Sequence, residues 1–344
     1  MGRGVLYPHQ QRAIVRLDRL APCDELSPYV EFYWHVRWDT AEPYETKVLS
    51  HPNVHLVFEE PVPMVYGVDR DLFTRVLRGR GQVLGVKFRP GFFRAFARRP
   101  VIDLADRRIA AAEFFGPDVE KVNQAVLTET TPDLAPNTGP RAADTPPATG
   151  SPRTGGTAHA TGPTENGKAP SGPSRTADTI TDEPNPADKA DAPAGTRAMV
   201  RHVEEFLVPL LPAAPDPAAE EVAAMVGRIV ADPALFRVGD AAAMLNVSTR
   251  TLQRLFAEYV GASPKWVLRR ARLQEAAARA DQGADIDWAR LADDLGYYDQ
   301  AHLTRDFTAV VGTSPARYAR SRSTAPPKPP TASPAAPPVT PSHT

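Results

Sequence analysis

The chain repeats itself near its C-terminus. Residues 248–264 (STRTLQRLFAEYVGASP) and 299–315 (DQAHLTRDFTAVVGTSP) align without a gap, 51 positions apart. Seven of the seventeen positions are identical: Leu252/Leu303, Arg254/Arg305, Phe256/Phe307, Val260/Val311, Gly261/Gly312, Ser263/Ser314 and Pro264/Pro315. Each copy reads as a capped helix, closed by a glycine and followed by a Ser-Pro helix start. A duplication of this size implies two similar helical surfaces held apart by a spacer, which suits a partner that is itself a repeating polymer.

Each copy extends into a larger pattern. Ser248 is placed as an N-cap, and Leu252, Leu255, Phe256 and Tyr259 follow at i, i+3, i+4 and i+7, a stripe for a core. The opposite face carries Arg250, Gln253, Arg254 and Ala257. Upstream, Val238, Ala242 and Leu245 give a short helix its apolar side, with a tight turn at Asn246-Val247. Short helix, turn and second helix describe a helix-turn-helix. From Ser263-Pro264 a segment rich in Ala, Leu, Arg and Gln predicts a helix to about Gln282, a rod of roughly 25 Å. The pattern then recurs with Trp288, Ala292 and Leu295, a turn at Gly296-Tyr297, and Asp299 as the next N-cap. Asp306 interrupts the second stripe where the first has Leu255, so it should face solvent or pair with Arg317.

Composition divides the rest. No Phe, Trp or Tyr occurs between 116 and 205, and twenty of the thirty-seven prolines fall in 131–195 and 321–344. Such segments bury too little apolar surface to offset chain entropy. The expected organisation is a β-rich domain at 1–125, to which the resemblance given below assigns a sensor or dimerisation role, and a disordered Pro/Thr/Ala/Gly-rich linker at 126–196. A helical DNA-binding domain follows at 197–320, with its core at 235–320, and a disordered tail at 321–344. The fold class expected is therefore α+β multidomain, a mainly-β barrel or sandwich followed by an all-α domain of two helix-turn-helix units on one long helix. Cys23 is the only cysteine, which excludes an intramolecular disulfide framework and any cysteine-rich zinc site. No run approaches eighteen apolar residues and no signal core opens the chain, so a soluble, cytoplasmic protein is expected.

The net charge of −1 does not announce a nucleic-acid binder, so the electrostatic case is local. Residues 237–320 hold twelve Lys/Arg and ten Asp/Glu, a weak positive balance. Residue type says more. Arg can donate twice to guanine O6 and N7, and Gln can match adenine N6 and N7. Thr249, Thr251, Lys265 and Thr304 suit phosphates, as do amides at helix N-termini.

Those residues carry a resemblance. The order A-x-x-L-N-V-S, L-Q-R-L-F, the connecting helix and G-Y-Y-D-Q-A-H-L-T-R-D-F resembles the DNA-binding region of the AraC/XylS family of bacterial transcription regulators, over about 235–320. The resemblance implies double-stranded DNA as partner. Ser248, Thr249, Arg250, Thr251, Gln253, Arg254 and Lys265 would serve one major-groove segment. Asp299, Gln300, Ala301, His302, Thr304 and Arg305 would serve the next. Arg254 and Arg305, at one repeat position, have a structural or phosphate-binding alternative, and His302 could equally stack on Tyr298.

The N-terminal part is less legible. Residues 29–38 alternate, with Val30, Phe32, Trp34, Val36 and Trp38 on one face and Glu31, Tyr33, His35 and Arg37 on the other, a strand signal. Further short strands are expected at 47–49, 54–59, 64–66 and 82–88, and a helix from Gly91 to Ala97. The run YVEFYWHVRW, then SHPNVHLVFE, then GVKFRPGFFRAF is similar to the cupin-like sensor domains fused to AraC-type regulators. That implies a small-molecule effector or a homodimer contact, acting beside RNA polymerase. Phe32, Trp34 and Trp38 are candidate ligand-lining residues, though such a stripe also suits a plain core. His51, His55 and Glu59 fall on one face of an extended strand. Ordinary polar surface is the default there, so no metal and no cofactor are expected.

Two other classes compete. An enzyme or metal-binding cupin-like domain with an accessory DNA-binding module lacks a G-x-S-x-G, a Walker loop or a dense ligand motif. A self-methylating repair regulator needs nucleophilic cysteines, and Cys23 lies beside Asp24-Glu25, which would raise its pKa. A non-enzymatic, sequence-specific DNA-binding regulator is the expected function.

Overall fold

The protein is described by a computed structural model covering residues 4–11, 14–129, 192–232, 235–282 and 286–321. Most of the expected linker and the expected tail from 322 onward lie outside the described residues.

An antiparallel sheet of six strands forms the N-terminal part: β1 (Val15–Leu20), β2 (Val30–Val48), β3 (His55–Phe58), β4 (Met64–Tyr66), β5 (Phe73–Phe88) and β6 (Arg108–Ala110), in the order β1-β2-β5-β3-β4-β6. One-turn helices lie at Pro8–Gln11, Arg94–Ala97 and Ala112–Phe115, and α1 runs Asp118–Thr128. The segments expected at 29–38 and 47–49 are parts of a single strand, and 82–88 is the second half of β5. A register shift between Thr40 and Tyr44 lets β2 run on without losing its pairing with β5.

The two central strands are bound by a cross-strand fit. Trp34 pairs with Gly85 and Trp38 with Gly81. A Cβ at Gly85 would lie 2.0 Å from the Trp34 ring, and one at Gly81 would lie 2.3 Å from Trp38. Each indole thus covers the bare backbone opposite it, the arrangement by which an aromatic compensates a strand glycine.

Alternation on β2 is as the sequence predicts, but both faces are covered. Tyr33 and His35, on the face carrying Glu31 and Arg37, are fully buried. Tyr33, Leu84, Val86 and Phe88 share a core with Phe93, Val126, Met199 and Val203. The last two belong to α2 (Ala194–Leu207), so a helix grouped from sequence with the DNA-binding part packs on the sheet. His35 Nδ1 and Thr196 Oγ1 of that helix are hydrogen-bonded at 2.9 Å.

The C-terminal part is helical: α3 (Pro217–Ala231), α4 (Val238–Met244), α5 (Thr249–Leu255), α6 (Pro264–Gln282), α7 (Trp288–Asp294), α8 (Gln300–Val311) and α9 (Pro315–Arg320). The caps fall where the repeat puts them. Ser248 Oγ accepts from Thr251 N (3.0 Å) and Asp299 Oδ1 from His302 N (2.6 Å). Gly261 and Gly312 close their helices at φ 85° and 81°, in the left-handed region that favours glycine. The copies differ in their last turn. Gly261 N reaches back five residues to Phe256 O (3.0 Å), while Gly312 N reaches back four to Thr308 O (2.9 Å).

Candidate DNA interface

α4 and α5 form the first helix-turn-helix, with Asn246 at φ 55° making the turn. Ala241, Ala242, Leu252, Leu255 and Phe256 are buried together with Val267 and Leu268 of α6. Burying that stripe turns the other side of α5 outward. Ser248, Thr249, Arg250, Gln253 and Arg254 are exposed, as is Lys265 at the start of α6, and Thr251 is half-buried. Among the described residues Arg250, Gln253, Arg254 and Lys265 make no side-chain hydrogen bond or ion pair, so their donors face solvent.

α7 and α8 form the second unit on the other end of α6. Leu291, Ala292, Leu303, Phe307 and Val311 pack against Leu273, Ala276 and Ala277. Asp299, Gln300, Ala301, His302 and Arg305 are exposed and Thr304 is half-buried. Two expectations are corrected here. Asp306 pairs with Arg269 of α6, Oδ1 accepting from Nε at 2.7 Å, and not with Arg317; its Oδ2 accepts from Tyr297 Oη at 2.8 Å. His302 meets Tyr297 edge-on, ring centroids 5.1 Å apart, and not Tyr298, whose ring is 92% exposed. The units also touch directly. Phe236, just before α4, covers Gly296 in the second turn so closely that a Cβ there would lie 2.1 Å from the ring.

On the cavity face of the sheet, Phe32, Trp34 and Trp38 line a cavity of about 210 Å³ with Val36, Val57 and Leu77. Sequence reasoning missed Gln11, Thr46 and Lys87, which also line it. Only the glycines opposite the tryptophans hinted that β5 borders it. His55 Nδ1 accepts from Trp34 Nε1 at 3.1 Å, and Glu59 is held by Arg75 (2.5 Å) and Tyr66. Burial, and then the Lys87 ammonium, lower the His55 pKa to about 3, so the ring is neutral. Among the described residues no three His, Cys, Asp or Glu are placed to hold a metal. Burial, and then Glu204 with Glu25, raise the Cys23 thiol.

The sheet and the helical part are joined by α6. Trp266 Nε1 donates to Arg70 O (3.0 Å), Arg270 Nη2 to Arg70 O (2.7 Å), and Gln274 Nε2 to Leu49 O (2.9 Å). These three residues recur every four positions, one face of the helix. Leu6 and Leu49 enter the core of the second unit and Val68 that of the first.

Two helix-turn-helix units on a shared helix, each turning outward polar side chains that have no partner among the described residues, define a DNA-binding domain. Comparison with known families agrees: residues 241–321 match the family described as helix-turn-helix domain, and residues 18–110 match a domain of unknown function (DUF6597). The chain thus carries a helix-turn-helix domain in its C-terminal part, preceded by a region that matches DUF6597. No curated protein matches it. Among solved structures, an AraC-type transcriptional regulator from Chromobacterium violaceum is 21% identical, covering 30% of this chain and 93% of its own, at a TM-score of 0.28. ToxT from Vibrio cholerae is 10% identical, covering 90% of this chain and 98% of its own, at a TM-score of 0.35. A ToxT structure with bound unsaturated fatty acid is 9% identical, covering 89% and 94%, at 0.33. Among the described residues no helix is long and apolar enough to cross a membrane.

Proposed function

We propose that the regulator reads two successive major-groove segments on one face of double-stranded DNA, about 34 Å apart. Arg250 and Gln253 read bases in the first segment, with Arg254 on bases or phosphate and Thr249, Thr251 and Lys265 on the backbone. Gln300, Ala301, His302 and Arg305 face the second, with Thr304 on a phosphate. Ser248 and Asp299 hold the helix ends in register through their caps. The observation that carries this reading is the outward, unpaired state of Arg250, Gln253, Arg254 and Arg305 on two helices fixed to one rod. Left unpaired, such side chains give up only water, and no internal partner, when they turn to base edges.

The N-terminal domain acts as the sensor, with an effector held between Phe32, Trp34 and Trp38. Its cavity supports that role, because its rim continues into the carbonyls that hold α6. The regulator works in the cytoplasm as a homodimer beside RNA polymerase, in keeping with its single cysteine and DNA target.

Selection of bound duplexes from a random pool by the full chain, followed by footprinting, tests the DNA reading. A motif of two separated blocks, protected one helical turn apart, is expected. A single block, or uniform coating without preference, overturns it.

A further inference from the structure

The cavity on this face of the sheet has a chemistry of its own, and its ligand class follows from which of its polar atoms are already satisfied. This rests on the effector reading above. The charged side chains that line it are all engaged. Lys87 Nζ is 2.8 Å from Glu31, Arg75 Nη1 is 2.5 Å from Glu59, and Asp69 is 2.6 Å from Arg108. Arg19 is engaged through the rest of its guanidinium, which lies 4.8 Å over the Phe32 ring, while its Nε has no hydrogen-bond partner among the described residues. His55 is neutral, with Nδ1 occupied by Trp34. A charged guest would leave water without meeting a counter-charge that is not already paired, and so would lose its hydration uncompensated.

Three polar atoms of the lining are unsatisfied among the described residues: Thr46 Oγ1, Gln11 Oε1 and Arg19 Nε, the last a single donor on a guanidinium that is otherwise engaged. Thr46 and Gln11 are more than nine-tenths buried, at 8% and 6% exposure. Thr46 lies on the same face of β2 as Trp34 and Trp38, beyond the register shift, so its hydroxyl shares their cavity. Buried polar atoms left unpaired forfeit the hydrogen bonds they had in water, so Thr46 and Gln11 mark a place where a guest supplies a partner. A carboxamide oxygen accepts only, while a hydroxyl both donates and accepts. A guest hydroxyl answers both.

The remaining walls are mostly apolar, with the aromatic rings of Phe32, Trp34, Trp38 and Phe73 among them and Ser50, His51 and Asn53 at one side. An apolar cavity of about 150 Å³ holds benzene, so one of about 210 Å³ holds a single ring with a substituent.

We infer that the sheet domain binds a neutral aromatic molecule bearing a hydroxyl, of the phenol or aromatic-alcohol class, with its hydroxyl on Thr46 and Gln11 and its ring among the tryptophans. Such a ligand places its apolar body against ring faces and edges and brings no charge into the cavity.

Calorimetric titration of the full chain with four probes of one shape tests this: 4-methylphenol, toluene, 4-methylbenzoate and 4-methylbenzylammonium. The phenol is expected to bind most tightly, toluene about tenfold more weakly, and neither ion detectably. Thr46→Val should weaken the phenol about five- to tenfold and leave toluene unchanged, a split that general loss of packing would not produce. Preferred binding of the benzoate or the ammonium overturns the neutral-ligand inference and leaves the effector reading standing, as does equal weakening of phenol and toluene by Thr46→Val. Failure of all four to bind overturns both.

Discussion

Asp306 sits between two elements that must move together, accepting from Arg269 of α6 at 2.7 Å and from Tyr297 of the second turn at 2.8 Å. The carboxylate thereby locks the second reading unit to the shared helix. Its repeat counterpart is Leu255, which does the same task by burial in the first unit. Asp306→Ala leaves the buried Tyr297 hydroxyl and the Arg269 guanidinium without their partner. A loss of about 1–3 kcal/mol in denaturant unfolding is expected. Asp306→Leu restores the apolar repeat but not the hydrogen bonds, so it should be nearly as unstable. A leucine variant as stable as the parent would show that the polar lock contributes nothing.

Gly85 lies under the Trp34 ring, where a Cβ would come within 2.0 Å. Gly85→Ala must push the indole toward the cavity it lines. Overpacking of this kind costs about 1–3 kcal/mol, and the tryptophan emission should shift with it. Unchanged stability and an unchanged spectrum would mean that the cross-strand fit has slack.

Stability should fall with acid through a buried histidine. Burial, and then the neighbouring Arg37 cation, lower the His35 pKa from its ordinary 6.5 to about 4, although Asp18 and a hydrogen bond to Gln82 act the other way. The folded state therefore holds His35 neutral while the unfolded chain takes up a proton below 6.5. Stability from this group is complete above that pH and is lost as pH falls toward 4. The loss would be roughly 3 kcal/mol, measured as unfolding midpoints at pH 7.5, 6 and 4.5. His35→Gln, which keeps a hydrogen-bonding side chain without the titration, should flatten the profile by about one proton. A profile as steep as the parent's would assign the acid loss elsewhere.

The helical half was legible because its information is local. Caps, stripe and closing glycine fall within seventeen residues, and the folded chain uses each where the repeat puts it. What sequence missed depends on distant partners. His35 reads only as a member of the strand face that carries Glu31 and Arg37, until Thr196, on a helix 161 positions away, covers it. Asp306 reads as a break in a stripe until Arg269 reaches it across the unit. The edge strands β1 and β6 and the first half of β5 went unread because VRLDRL and FTRVLRGRG lack the clean alternation of β2. Thr46 and Gln11 gave no signal at all, since only the fold leaves them unpaired inside a cavity.

At the DNA interface, Arg250→Ala and Gln253→Ala should each cost about 1–3 kcal/mol on the selected site and relax preference at one base position. Lys265→Ala should weaken all sequences alike and reduce the salt slope by about one. Binding titrations on the selected site and on a shuffled one, over a range of salt, separate the two behaviours. Intact affinity and intact preference in Arg250→Ala would mean that α5 presents a different face to the groove.

The contacts of α6 with the sheet domain make the two parts one cooperative body. Arg270 is buried and donates to Arg70 O, while Gln274 donates to Leu49 O; the flanking Asp69 and Ser50 line the cavity. Leu6 and Leu49 fill the second unit's core, so neither part can unfold without exposing the other's apolar surface. Scanning calorimetry of the parent chain should show one transition. Removing both clamps with Arg270→Ala and Gln274→Ala should split it in two, the helical part and the sheet part melting separately, because local opening follows the loss of buried contacts. The same variant should bind the selected DNA, since the reading faces lie outside this contact, but its affinity should no longer respond to 4-methylphenol. Two transitions in the parent, or an intact response in the double variant, would place the coupling between cavity and DNA somewhere other than this face of α6.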